Sequence, residues 1–241
     1  MKMDKTYRTA AVVLAAGSGK RMNAGVKKQY MEIAGRPVLY YSLKAFEQSF
    51  IDEIVLVVSQ DEIEQIRENY VNQYGFRKIS QIVAGGKERY HSVACGLRAV
   101  EPDCDFVFIH DSARPMLTQE ILQRVYGEVQ KEEACVVGVP SKDTVKIADE
   151  QGYVFVTPNR SLVWNVQTPQ VFSYPLVRGA YEELLQKEQE LLAAGVQITD
   201  DAMVVEHLTH HKVKLVEGIY ENIKITTPGD VQIAERYLQS R

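Results

Sequence analysis

The sequence has little cysteine, a single tryptophan, no long hydrophobic run and no excess of basic charge. Each shortage closes off a class of protein. The three cysteines, at 95, 104 and 135, are odd in number and include no C-x-x-C spacing. They therefore encode neither a disulfide framework nor a thiolate zinc site, and a reducing, cytoplasmic setting fits. Lys and Arg number 28 against 32 Asp and Glu, a formal net charge of −4, which argues against nucleic-acid binding through a basic surface. Any local cluster of positive charge must then serve a small anion. The apolar run over residues 10–16 is too short to span a bilayer and gives way at once to glycines and basic residues, so it reads as a buried strand, with no signal peptide.

What is present is an alternation. Short β-branched runs over 9–15, 54–58, 81–84, 106–110 and 135–139 are separated by helical patterns over 38–49, 61–74, 89–99 and 118–131. That order predicts a mostly parallel twisted sheet with helices on both faces, a Rossmann-like α/β fold. With 241 residues, 45% of them hydrophobic, one sizeable core is expected. The expectation is a single domain over 1–241 with an appendage at 141–164, where polar and β-prone residues alternate around Gln151-Gly152 as in a projecting hairpin. A helix over 175–192, a strand over 213–216 and a last helix follow. That last helix has Thr227 as N-cap, Pro228 first and Asp230 near its positive end.

Five segments carry chemistry. "LAAGSGKRM", followed by "KKQY", is a strand running into a glycine-rich loop. Gly17 and Gly19 let backbone N–H groups approach phosphate oxygens, and Lys20, Arg21 and Lys28 supply positive charge. Met22 stands where a Walker A loop or a G-x-G-x-x-G loop needs glycine, so those nucleotide folds are disfavoured. From the loop alone, a strand-to-helix turn with solvated lysines would look the same. "IHDSARPML" places Asp111 at the C-terminal end of a buried strand, where α/β sheets bind ligands. Its carboxylate could hold Mg²⁺ between nucleotide phosphates, or simply cap a helix or pair with Arg114. His110 reads as a packing or hydrogen-bonding residue, and the other four histidines show no metal spacing.

"AGGKERYHSV" opens with Gly85 and Gly86 and leads to Ser92, a loop that could frame a base or be an ordinary connection. In "PNRSLVWNVQTPQVF" and "ENIKITTPGD", Arg160 could clamp a phosphate, Thr168 could donate a hydroxyl and Lys224 could neutralise charge. Taken singly, each is as readily a surface group. Trp164 reads as a packing anchor, and Asp200 and Asp201 in "TDDA" read as a helix cap.

In this order, these segments closely resemble the 2-C-methyl-D-erythritol 4-phosphate cytidylyltransferase family over nearly the whole chain. "AAGxGxRM" belongs to sugar nucleotidyltransferases at large, whereas "HDSARP" with "QTPQ" and "NIKITTP" is highly specific. The resemblance implies a nucleotidyltransferase that joins CTP to 2-C-methyl-D-erythritol 4-phosphate with Mg²⁺, in non-mevalonate isoprenoid synthesis. It also implies a homodimer whose arm helps complete the partner's site. By position it makes Arg21, Lys28 and Lys224 catalytic. Ala15, Ala16, Gly17, Ser18, Gly19, Gly86, Ser92 and Asp111 become the nucleotide side, with Asp111 on the metal. Arg114, Thr144, Arg160, Thr168 and Lys224 become the acceptor-phosphate side. The rivals are a ribitol 5-phosphate cytidylyltransferase and a non-catalytic nucleotide-binding regulator.

Overall fold

The structure is a computed structural model that describes residues 7–17 and 27–239. Its elements run β1 (Thr9–Leu14), β2 (Glu32–Ile33), β3 (Arg36–Pro37), α1 (Val38–Glu47) and β4 (Glu53–Val58). Then comes α2, a helical segment over 60–74 built from a 3-10 turn (Gln60–Glu62), an α-helical turn (Ile63–Ile66) and a π-helical stretch (Arg67–Asn72). After it come β5 (Ile79–Ala84), α3 (Arg89–Ala99), β6 (Phe106–Asp111), α4 (Gln119–Glu132) and β7 (Ala134–Pro140). The chain continues through β8 (Ile147–Ala148), β9 (Val154–Val156), β10 (Trp164–Ser173), α5 (Tyr174–Ala193), α6 (Asp201–Thr209), β11 (Lys214–Glu217) and α7 (Pro228–Gln239).

Seven strands form one sheet in the order β11-β7-β10-β6-β1-β4-β5. Every neighbouring pair is parallel except the two that β10 makes, since it lies antiparallel to both β6 and β7. β4 and β6 are buried at all their residues, which explains why they read as continuous apolar runs. β1 shows the period-two logic: Ala11 and Val13 join a core layer with Leu39, Leu43 and Phe46 of α1, while Ala10 and Val12 join the opposite layer with Leu97 of α3 and Val177 of α5. The sheet is thus covered on both faces, as the alternation predicts.

The expected strands and helices are found within a few residues of their predicted limits. The hairpin is present as β8 paired with β9, turning at Gly152, whose φ of +87° suits glycine. Among the described residues, no helix is long and apolar enough to cross a membrane.

β10 is the element the periodicity does not announce. A proline inside a central strand argues against a strand because it cannot donate to the ladder. Here the pairing with β7 breaks between Val166 and Gln170, and pairing with β6 begins only at Gln170, so Pro169 lies where no ladder bond is needed. Gln170 then locks α6 to the sheet: it is 1% exposed, its Nε2 donates to Asp200 Oδ2 at 2.9 Å, and its Oε1 accepts from the Ala202 N–H at 2.7 Å. Gln170→Leu would strand a buried N–H and should lower unfolding stability by about 1–3 kcal/mol, read from the urea midpoint. An unchanged midpoint would show that α6 is held by other means.

Candidate functional site

Because β1, β4, β5 and β6 run parallel, their C-terminal ends open on one edge of the sheet, with Leu14 in register with Asp111. A cavity of about 340 Å³ lies there. Its lining includes Ala15, Ala16 and Gly17 from the end of β1, Gly86 and Ser92 from the turn into α3, Lys28, Asp111 and Lys224. Eight residues singled out from the sequence, drawn from segments more than 200 positions apart, therefore meet in one space. Ser18, Gly19, Lys20, Arg21 and Met22 lie outside the described residues.

Two local devices shape this cavity. Gln29 is 1% exposed and its Nε2 donates to the carbonyls of Ala15 (2.6 Å) and Gly17 (3.1 Å), holding the chain as it leaves β1. The other is the segment over 85–92. The Gly86 N–H donates to Ser92 Oγ at 3.1 Å, and a capping box between Glu88 and His91 closes the first turn of α3. A Cβ on Gly85 would lie 2.5 Å from the Ala16 Cβ and 2.7 Å from Ser92 Oγ, and one on Gly86 would lie 2.3 Å from the His91 Cβ. These positions need glycine for close approach, since neither has a positive φ. Gly85→Ala should therefore cost about 1–3 kcal/mol by overpacking, measured by chemical denaturation; a variant of full stability would mean that this wall is compliant.

A second cavity of about 380 Å³ lies on the other side of Asp111, lined in part by Arg114, Thr168, Gln170 and Asp200. Arg89, Asp111 and Lys224 border both cavities and so form the wall between them. The Lys224 Nζ donates to Asp111 Oδ2 at 2.6 Å and the Arg89 Nε donates to Oδ1 at 3.4 Å. Burial alone would raise the Asp111 carboxyl, but Arg89 and Lys224, with Arg114 behind them, outweigh it and hold the group far below the usual carboxylate range. Asp111 is therefore ionised at neutral pH.

Thr168 and His110 position that anion from behind. Burial lowers the His110 imidazole to about 4, so it is neutral at physiological pH. Its Nε2 faces the Arg114 carbonyl at 3.2 Å and must carry the proton, leaving Nδ1 to accept from the Thr168 hydroxyl at 3.0 Å. Thr168 Oγ1 also accepts from the Asp111 N–H at 3.1 Å. Its hydroxyl proton is thus already committed to His110, and direct donation to a phosphate requires that bond to open. The reading of His110 as a hydrogen-bonding residue agrees with this geometry.

Thr144 and Arg160 line neither cavity. Both are exposed on the arm side, and Arg160 Nη1 donates only a 3.4 Å bond to the Lys142 carbonyl. Asp200 caps α6 as expected, accepting from the Met203 N–H at 3.0 Å. Pro228 opens α7, and the Asp230 carboxylate reaches back to the Thr226 and Thr227 N–H groups, both at 2.8 Å.

For a divalent ion, the carboxylate at the wall between the cavities is Asp111; Glu88 and Asp200 also border the cavities, but they are engaged in capping α3 and α6. Among the described residues no three His, Cys, Asp or Glu side chains gather to form a cage. That suits Mg²⁺, which commonly uses one or two carboxylates and takes its other ligands from phosphates and water, and it does not suit a structural metal.

Comparison with known proteins now bears on this geometry. The model of the family described as IspD, 2-C-methyl-D-erythritol 4-phosphate cytidylyltransferase, matches residues 9–240. The chain belongs to that family. A 2-C-methyl-D-erythritol 4-phosphate cytidylyltransferase of Lachnoclostridium phytofermentans is 48% identical over 232 residues, 96% of this chain and 97% of its own length. One of Lachnospira eligens is 47% identical over 95% of this chain and 98% of its own. A crystal structure titled as the 4-diphosphocytidyl-2C-methyl-D-erythritol synthase of Anaerococcus prevotii superposes with a TM-score of 0.82 at 36% identity, covering 97% of this chain and 96% of that one.

Set within the cytidylyltransferase family, the sequence reading passed over Arg89, Gln29, Gln167 and Asn222. Asn222 is fully buried and donates from Nδ2 to Gln167 Oε1 (3.2 Å) and to the Thr168 carbonyl (3.0 Å), tying the strand with the second cavity to the segment that carries Lys224. For Arg89 a signal existed: a cation in the first turn of a helix opposes the macrodipole and implies a specific anionic partner.

Proposed function

We propose that this protein transfers the cytidylyl group of CTP to 2-C-methyl-D-erythritol 4-phosphate, releasing pyrophosphate and forming 4-diphosphocytidyl-2-C-methyl-D-erythritol for non-mevalonate isoprenoid synthesis. The observation that carries the reading is the convergence of Lys28, Ser92, Asp111 and Lys224 on one cavity in a chain matched by this family from residue 9 to residue 240. A cytoplasmic location belongs to it, since both substrates are intracellular small anions.

In this reading CTP occupies the first cavity. Backbone groups of Ala15, Ala16 and Gly86, with Ser92, frame the base, and Gly17, Ser18 and Gly19 receive the phosphates. The acceptor enters from the second cavity, where Arg114 and Lys224 face its phosphate and Thr168 holds Asp111 in place. A phosphate monoester is largely ionised near neutral pH, so no general base is required. One of its oxygens attacks the α-phosphorus of CTP, the new P–O bond forms as the bond to the bridging oxygen breaks, and pyrophosphate carries away the electron pair. The work left to the protein is to bring two anions together and to stabilise charge crowded at phosphorus, the task of Lys28 and Arg21. Mg²⁺, held by Asp111, would neutralise part of the phosphate charge when bound.

The arm belongs to a homodimer. Tyr153, Phe155 and Leu162 are 74%, 79% and 77% exposed, an apolar surface that calls for a partner. Thr144 and Arg160, which line neither of the two cavities in their own chain, would then serve the acceptor site of a second copy.

The direct test is pyrophosphate release with CTP and Mg²⁺, comparing 2-C-methyl-D-erythritol 4-phosphate with D-ribitol 5-phosphate. Preference for the former is expected; preference for the latter would keep the mechanism and change the product, and no release with either would leave a nucleotide-binding regulator. Lys28→Ala should lower turnover by about 10² to 10³-fold in a folded protein, and near-normal turnover would remove Lys28 from its role. For the dimer, Phe155→Asp should sediment as a monomer with reduced activity, whereas wild-type protein sedimenting as a monomer at assay concentration would refute the arm's assignment.

A further inference from the structure

Arg89 is the first residue of α3, where the helix dipole disfavours a cation, and it is held there by an unusually complete set of contacts. Its Nη1 and Nη2 donate to the two oxygens of Asp201, each at 2.8 Å, a bidentate fork. Its third donor, Nε, is turned to Asp111 Oδ1 at 3.4 Å. Asp201, the first residue of α6, is 0% exposed, and its Oδ1 also accepts from the hydroxyl of Tyr181, buried on α5. One guanidinium therefore joins the base-facing turn, the two helices beneath it and the carboxylate that divides the cavities.

A fold-stabilising role alone does not account for this arrangement. Well-packed apolar residues commonly replace a buried ion pair at no cost in stability, so such a pair is weak evidence for a stabilising role. The Arg89 side chain is also 30% exposed, and it lines both cavities. The segment it anchors, over 85–92, carries Gly86 and Ser92, and among the described contacts Arg89 supplies the ion pairs that join this segment to Asp111 and Asp201.

We propose that Arg89 is a positioning residue for the nucleotide: by gripping Asp201 with its fork and Asp111 with its Nε, it fixes the distance between the base-facing turn and the carboxylate at the phosphate end. The inference rests on the reading of the first cavity as the CTP site. Arg89 acts through Gly86, Ser92 and Asp111, so its loss weakens CTP more than the acceptor, whose cavity it borders without carrying the base-facing turn. A lysine is a point cation and cannot span both carboxylates, so it restores only part of the function.

The test compares wild type, Arg89→Lys, Arg89→Met and the double variant Arg89→Met with Asp201→Asn. The double variant is needed because Arg89→Met alone leaves the buried Asp201 charge unpaired and can fail to fold; asparagine removes the charge and can still accept from Tyr181. Thermal midpoint, CTP dissociation constant by calorimetry without acceptor, and KM and kcat for each substrate are measured. The double variant is expected to melt like wild type yet to lose about 10²-fold in kcat/KM for CTP, with a smaller change in acceptor KM than in CTP dissociation constant and Arg89→Lys intermediate. Recovery of wild-type CTP affinity in the double variant would overturn the proposal, as would its failure to fold, which would make the pair a fold element. Wild-type protein that does not bind CTP at all would instead overturn the functional reading, and this inference with it.

Discussion

The buried charge of Asp111 is the constraint on which the site depends. A carboxylate at the end of a fully buried strand is tolerable only if cations meet it, and they arrive from distant parts of the chain: Arg89 from α3 and Lys224 from the segment after β11, with Arg114 close behind. Satisfying one anion thus pins the start of α3 and the C-terminal segment to the end of β6. The same convergence leaves a cluster rich in positive charge between two cavities, which is what two anionic substrates with adjoining reactive phosphates require. Structural need and chemical use coincide at this residue.

How much of the fold could be read from residues depends on how each strand is buried. β4 and β6 are covered on both faces, so their sequences are plain apolar runs and could not be mistaken. β10 is equally central, yet Gln167, Pro169 and Gln170 interrupt it. Each has a tertiary reason that no local pattern reveals: Gln167 Nε2 donates to the Ile219 carbonyl, Pro169 falls in the register break, and Gln170 binds α6. The π-helical stretch of α2 likewise leaves no mark on an amphipathic pattern, since it keeps an apolar side against the sheet through Ile66 and Val71.

The site was legible where its chemistry is local. Glycines 85 and 86 announce a close approach, and an aspartate after a buried strand announces a ligand position. It was not legible where a residue acts through another. Thr168 looks like a phosphate donor until the neutral His110 beside it is seen to accept its hydroxyl hydrogen bond. Asp201 looks like a second cap beside Asp200, while its actual partners lie 112 and 20 residues away. Thr144 and Arg160 mark the opposite limit: the family resemblance puts them at the acceptor, yet they line neither cavity of their own chain, and the proposed dimer is the reading that accommodates both.

In the proposed function a cytidine triphosphate lies between the end of β1, the turn over 85–92 and Asp111. Hydrogen–deuterium exchange with and without CTP and Mg²⁺, resolved by peptide, tests this most directly. Protection is expected in peptides covering residues 14–28, 85–92 and 111–114, and not elsewhere in the sheet or the arm. Protection centred instead on the separate cavity beside Arg124 and Tyr237, or no protection at saturating nucleotide, would contradict it.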